Sequence, residues 1–467
     1  MVFESAHDGP STSTVTWRQD TRGYPERTYP IQILSVNPTS IRFRGKGKEK
    51  EPYEEAQVDI EDVDALESLE KASIALEASH LVAFPTETVY GLGANALNAE
   101  AASRIFRAKG RPTDNPLIVH ISDLSMLKRL TPDGYKPSPV YSALIDSFWP
   151  GPMTLLFPVD EAKVPSVVRC GLKTLGVRMP SHPVARALIA TSGFPLAAPS
   201  ANASGRPSPT AAMHVYRDMT TSRNGERGKG RLPYIIDGGS CQVGVESTVI
   251  DGVTESGELR VLRPGGVGVE DIEMALKTRH LLQDAEGFSL GEVVVMVYGK
   301  DLKRDTVEEA NPTTPGMKYR HYSPDADVVL LVVDGSSTSS DSATPIQEAM
   351  KTYISQHSGA ANRDMKHQLQ IGVMSMDDSK LTASLFSHGT NKSQSYDLHR
   401  FSLGSQQNPK QAAQRLFEGL RALDEGQDGL NKCDIIFVEA LRDEAGVGLA
   451  IMNRLQKAAE SVIHVRL

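Results

Sequence analysis

Residues Leu81 to Gly93 read LVAFPTETVYGLG, and residues Ala99 to Ile121 read AEAASRIFRAKGRPTDNPLIVHI. The apolar run Leu81 to Phe84 predicts a strand that breaks into hydroxyls and two glycines. Ala99 to Ala108 has helical spacing and meets Gly110, an ordinary helix stop. Leu117 to Ile121 predicts a second strand. Strand and helix patterns go on alternating to about Val269, which implies a mixed α/β domain. Upstream, Val63, Leu66, Leu69, Ile74 and Leu76 fall at helical spacing. Residues 1–57 carry Ser/Thr/Pro clusters and basic residues without a sustained apolar period, so they read as a flexible extension. The domain boundaries follow: extension 1–57, first α/β domain 58–275, linker 276–325 and second domain 326–467. In the second domain Val328 to Val333, Ile371 to Met374, Pro409 to Ala422, Ile435 to Val438 and Leu449 to Ala459 alternate as strands and helices. That pattern predicts a smaller, doubly wound, Rossmann-like unit.

Composition narrows the function. The chain has 467 residues, 39% hydrophobic and 23% charged, a globular balance. The longest aliphatic runs, Val328 to Val333 and Val293 to Val297, fall far short of the about 18 residues a membrane helix needs. Cys170, Cys241 and Cys433 are far apart and form no CxxC pair, which fits a reducing compartment and offers no cysteine metal site. Aromatics at 6% are too few for a single-strand stacking platform. The net charge of −8 is uneven: His80 to Gly265 holds 20 Lys+Arg against 15 Asp+Glu, a local +5, and the remainder carries −13. A positive middle in an acidic chain suggests an anionic ligand there. Met1 to Pro10 lacks the apolar stretch of a secretory signal. Glu4, Asp8 and Asp20 argue against a mitochondrial presequence. The expected setting is cytoplasmic, with an additional mitochondrial form left open.

Several segments carry candidate chemistry. In Pro85 to Gly93, Thr86 and Thr88 are two apart, so an extended chain would turn both hydroxyls one way and Glu87 the other. Lys109-Gly110-Arg111-Pro112 puts two cations on a short loop read as solvent-facing. Lysine as a point charge and arginine as a planar fork suit a polyphosphate. Asn115 closes that loop, and His120 follows on the strand. Trp149-Pro150-Gly151-Pro152 reads as a rigid corner. Thr174 and Arg178 flank a strand-like run, and Arg178 can fork a carboxylate. Pro199 to Thr210 is rich in small hydroxyl residues, whose backbone a phosphate can approach. Gly244 to Asp251 runs from a glycine turn into a strand, ahead of Arg263-Pro264-Gly265. Asp218 to Arg231 is polar and reads as a surface loop. The linker around Pro315-Gly316-Met317-Lys318-Tyr319-Arg320-His321-Tyr322 is aromatic and basic, unlike a passive spacer.

Familiar P-loop and zinc-protease signatures are missing. Gly239 to Gly244 has Walker spacing, but Val245 stands where the lysine is needed. There is no HExxH. Taken in order, however, these segments resemble the YrdC-type L-threonylcarbamoyladenylate synthases. The tail after Tyr322 and the linker resemble the longer, two-domain form. The resemblance covers roughly residues 60 to 467.

That resemblance implies a YrdC-like twisted mixed sheet plus a Rossmann-like C-terminal domain. It implies a nucleotidyltransferase that makes L-threonylcarbamoyladenylate from L-threonine, bicarbonate or CO2, and ATP, releasing pyrophosphate. A tRNA threonylcarbamoyltransferase would then use the product on tRNAs reading codons that start with A. Carried over by position, Thr88, His120, Arg178, Ser247 and the backbone near Ala198 would hold threonine. Arg111, Asn115, Thr174, Ser200, Ser208 and Arg263 would hold ATP, with Lys109 beside the phosphates. Thr86 and Asn202 would support them. Mg²⁺ would accompany the ATP, with no protein metal cage. No residue stands out as a general base, so the catalytic residue is unknown. Tyr319, Arg320, His321 and Tyr322 would form a lid. The rival readings are a double-stranded RNA-binding module using the positive cleft and a carbamoyl-phosphate-dependent carbamoyltransferase.

Overall fold

The structure is a computed structural model that describes residues 29–46, 51–220, 229–252, 258–284, 293–297, 321–333, 344–358, 368–386, 396–427, 429–441 and 446–467. The expected lid residues Tyr319 and Arg320, and most of the linker, lie outside this set.

The first domain is built on one mixed sheet. Its central strands run Thr248–Asp251, Met153–Pro158, Thr174–Arg178, Val119–His120, Leu196–Ala197, Gly91–Asn95, Val82–Phe84 and Tyr234–Asp237. The register sets a polar row across the middle. His120 lies beside Arg178, and Arg178 lies beside Thr154. Cross-strand neighbours share a face, so these side chains emerge together.

The helix Ala99–Lys109 matches its predicted span within a residue. The Asn98 side chain caps it by accepting from Ala101 N at 3.0 Å. Gly110 ends it at φ 62, the left-handed turn that glycine adopts without strain. Ala101, Ala102, Ile105 and Phe106 face the core. The helix therefore delivers Lys109 and Arg111 to the rim of the sheet.

The expected extension is partly sheet. Gln32–Ser35 pairs in parallel with Tyr234–Asp237. Ile41–Lys46 forms a hairpin with Glu55–Ile60. Ile41 and Phe43 turn inward, while Arg42 and Arg44 turn out and pair with Glu61 and Asp59. A period of two was present, too short to rise above the basic composition. The linker also starts later than expected. Helix Val269–Asp284 crosses position 275, and Val295–Val297 extends the first sheet beside Leu259–Val261.

The second domain is the predicted doubly wound unit. Its parallel strands run Ser461–Arg466, Asp327–Val333, Ile435–Glu439, Leu369–Ser375 and Tyr396–Ser402. Helices Pro409–Glu425 and Gly446–Ala458 cover one face. Helices Ile346–Ser358 and Lys380–Phe386 cover the other. The former pair also meets the first domain, because Val89 and Val245 share a core with Tyr322, Phe417 and Ile451. Gly244 marks how close the approach is. A Cβ there would stand 2.3 Å from Gln414 Cα. Among the described residues no helix is long and apolar enough to cross a membrane.

Candidate active site

A single pocket gathers residues from the candidate segments above other than the Trp149 corner and the Asp218 to Arg231 stretch. Thr86, Thr88, Lys109, Arg111, Asn115, His120, Arg178, Ala198, Ser200, Asn202, Ser247 and Arg263 line it, with Glu246, His321 and Tyr322. The corner acts from behind. Gly151 O accepts from Arg178 Nε at 3.2 Å and so fixes the plane of the guanidinium.

One half of the pocket is centred on Arg178, which is 3% exposed. Its Nη1 donates to Thr88 Oγ1 at 2.8 Å. Its Nη2 lies 2.5 Å from Glu87 Oε1. Residues Pro85–Tyr90 form a turn instead of an extended strand end. Thr86 Oγ1 donates to Val89 O at 2.7 Å and accepts from the Thr88 backbone N–H at 3.2 Å. This turn brings Glu87 and Thr88 to the same guanidinium, where extended geometry would have sent them to opposite faces. Ser247 Oγ lies 2.8 Å from Thr154 Oγ1, in the polar row. Burial, then nearby Arg178, pushes His120 down to about 3, so its ring is neutral at ordinary pH. Its Nδ1 is buried and has no hydrogen-bond partner among the described residues.

The other half is cationic. Arg263 donates from Nε and Nη2 to Ser247 O at 3.1 and 2.9 Å, which joins the two halves. The turn after it packs directly on Glu246–Thr248. A Cβ at Gly265 would stand 2.3 Å from Thr248 N, so only glycine fits. Arg111 donates to Asn115 O and Pro116 O, both at 3.2 Å. Burial brings Arg111 and Arg263 down to about 10, still cationic at neutral pH.

Lys109 differs from expectation. It is 4% exposed, not solvent-facing. Its ammonium donates to Ser200 O, to Asn202 O at 2.6 Å and to Asn202 Oδ1 at 3.3 Å. Its protons therefore hold the Ser200–Arg206 loop in place. Burial, then Arg111, pushes its pKa well below the ordinary value. Two other expected ATP residues stand apart from the pocket wall. Thr174 begins the strand that ends in Arg178, roughly 13 Å along at strand spacing. Ser208 lies behind Glu246 and donates to its Oε1 at 2.6 Å.

The end of the linker closes the pocket, backed by the second domain. Tyr322 rests on Phe417 at a ring separation of 5.2 Å, and Ser323 N donates to Gly205 O at 2.9 Å. Burial, then Glu246, raises Tyr322 to about 12, so its hydroxyl keeps its proton. Asp218, expected on a surface loop, is buried at the end of helix Ala212–Met219 because Arg421 pairs with it at 2.7 Å. Sequence reading also passed over Glu246 and Arg454, whose Nε donates to Glu246 Oε2 at 3.0 Å. Nothing near Glu246 in the sequence announces a partner more than two hundred residues away. Cations that bind a duplex need an open face. Lys109, Arg178 and Arg263 are buried instead, so these three present no charge to a duplex.

Comparison with known proteins places both domains in one family. Residues 75–265 match the family model described as Telomere recombination. Residues 267–460 match the model described as Threonylcarbamoyl-AMP synthase, C-terminal domain. A Schizosaccharomyces pombe threonylcarbamoyl-AMP synthase is 40% identical over 92% of this chain and 98% of its own length.

The chain belongs to the threonylcarbamoyl-AMP synthase family.

A Bacillus subtilis member of that family is likewise 40% identical, over 83% of this chain and 92% of its own. The crystal structure of Pyrococcus abyssi Sua5 complexed with L-threonine superposes with a TM-score of 0.64 at 35% identity, covering 93% of this chain and 99% of that one. The threonylcarbamoyl-AMP synthase architecture thus spans both domains, including the helices that carry Arg421 and Arg454.

Proposed function

We propose that this pocket makes L-threonylcarbamoyladenylate from L-threonine, bicarbonate or CO2, and ATP, releasing pyrophosphate. The product is passed to a tRNA threonylcarbamoyltransferase acting on tRNAs that read codons starting with A. One observation carries the reading. A carboxylate-sized polar half around Arg178, Thr88 and Ser247 is joined through Arg263 to a cationic half containing Arg111.

Arg178 has its Nε and one Nη1 proton committed to Gly151 and Thr88, and its Nη2 is paired with Glu87, so the second N–H of each terminal nitrogen serves the threonine carboxylate. Neutral His120 beside it carries no charge to repel the threonine amine. That amine takes up CO2 to give a carbamate and loses a proton. A carbamate oxygen then attacks the α-phosphorus, a P–O bond forms, and the bond to pyrophosphate breaks. Positioning and charge neutralisation do most of the work in such a step. Arg111, Arg263, Ser200 and the Ser200–Arg206 backbone take the nucleotide, with Lys109 fixing that backbone. His321 and Tyr322 cover the pocket and shield a labile product from water. Mg²⁺ would come with ATP and neutralise phosphate charge. Glu246, the pocket's carboxylate among the described residues, is already taken by Ser208 and Arg454, so phosphate and water would supply the ion's ligands. The thiols of Cys170, Cys241 and Cys433 fit a cytoplasmic setting.

The test is pyrophosphate release from ATP by the purified chain. Release that needs both threonine and bicarbonate is expected. Release indifferent to threonine would remove this function.

A further inference from the structure

We propose that Arg454, from the second domain, is a positioning residue for nucleotide binding: it neutralises Glu246 and holds the Arg263 turn, so the first domain's phosphate site is complete only when the second is docked. This rests on the reading of the pocket as an ATP site.

The geometry is specific. Glu246 is a pocket-lining carboxylate only 7% exposed. A site for a polyanion should not present a bare buried carboxylate, which would repel phosphate and cannot be solvated. Within the first domain Ser208 satisfies Oε1 at 2.6 Å. The other oxygen faces the second domain, where Arg454 Nε reaches it at 3.0 Å. The same guanidinium donates from Nη1 to Pro264 O, the residue after Arg263. One side chain thus braces two adjacent walls of the pocket from behind. Arg454 is 1% exposed and is held in turn by Ala450 O at 3.2 Å in its own helix. Arg263, Lys109 and Tyr322 also feel the Glu246 charge. Without Arg454, Arg263 becomes the partner to which Glu246 is drawn, and it turns from the phosphates. The pocket loses one positive charge and the aim of another.

Calorimetric titration of ATP and, separately, of L-threonine into the full chain tests this. Arg454→Met is expected to weaken ATP binding about 30-fold, the scale of losing one partner of a buried charge pair. Threonine affinity should stay as in wild type. Adding Glu246→Gln to Arg454→Met removes the stranded carboxylate and is expected to restore ATP affinity to within about threefold. Arg421→Met breaks another buried interdomain pair, that with Asp218, without baring a pocket carboxylate. It should leave ATP affinity within about threefold of wild type. If Arg454→Met does not fold, Arg454→Lys and the double variant carry the test, and both should bind ATP. The role is overturned if Arg454→Met binds ATP like wild type, if the double variant stays as weak as the single one, or if Arg421→Met loses as much. Wild-type protein that binds no ATP sinks the functional reading itself, and this role with it.

Discussion

Arg178 Nη1 donates to Thr88 Oγ1 at 2.8 Å, across 90 residues of sequence. That bond ties the turn after the first core strand to the centre of the sheet. Glu87, next to Thr88, sits 2.5 Å from the other terminal nitrogen of the same guanidinium. The arginine is therefore aimed by a buried carboxylate and a hydroxyl before any substrate arrives, which is how a site is preorganised.

Arg178→Lys should keep the charge and lose the fork. Threonine affinity, read by calorimetry, is expected to fall about 30-fold with ATP affinity little changed. Arg178→Ala should in addition cost about 3–5 kcal/mol of stability, because Glu87 is left buried without its partner. Unchanged threonine affinity in Arg178→Lys would take the carboxylate role from this residue.

Lys109 and Arg111, neighbours in sequence, should separate on mutation. Lys109→Met leaves the carbonyls of Ser200 and Asn202 without their donor, so a stability loss of about 2–4 kcal/mol is expected in urea unfolding. Arg111→Ala should lower ATP affinity and cost less stability than Lys109→Met, because its bonds to the Asn115 and Pro116 carbonyls are only partly buried and those carbonyls can turn to water. Equal effects of both changes on both measurements would merge the two roles and contradict the geometry.

His120 gives a pH dependence with a definite sign. Its folded value, about 3, lies below the ordinary 6.5 because of burial and then Arg178. The unfolded chain thus takes up the proton first, so this contribution is complete above pH 6.5 and is lost as pH falls toward the folded value. The slope expected from this one group is about 1.4 kcal/mol per pH unit between pH 6 and 4. His120→Gln should flatten the stability profile there by about that amount. A profile with the same slope in the variant would show that other groups govern acid stability.

Much of the first domain is legible locally. The helix Ala99–Lys109 carries its own cap, apolar face and glycine stop, so its bounds follow from neighbours in sequence. The second domain is similar, with helix Pro409–Glu425 starting at a proline after an Asn cap. The hairpin Ile41–Lys46 with Glu55–Ile60 escaped because short strands draw their stability from partners and from packing such as Arg186 over Phe43, which local composition does not display.

The amino-acid sequence by itself determined which residue types were available: the paired threonines, the loop cations, the arginine forks and the small-residue loop. It also determined the alternation that makes two α/β domains. Only the tertiary structure decided their roles. Lys109 became a loop anchor, because three acceptors surround its ammonium in a dry interior. Ser208 became a support for Glu246, and Glu246 a pocket wall neutralised from another domain. The reason is that charge and hydrogen bonding act through space over a few ångströms. Glu246 and Arg454 are brought within that range only when both cores have formed and docked.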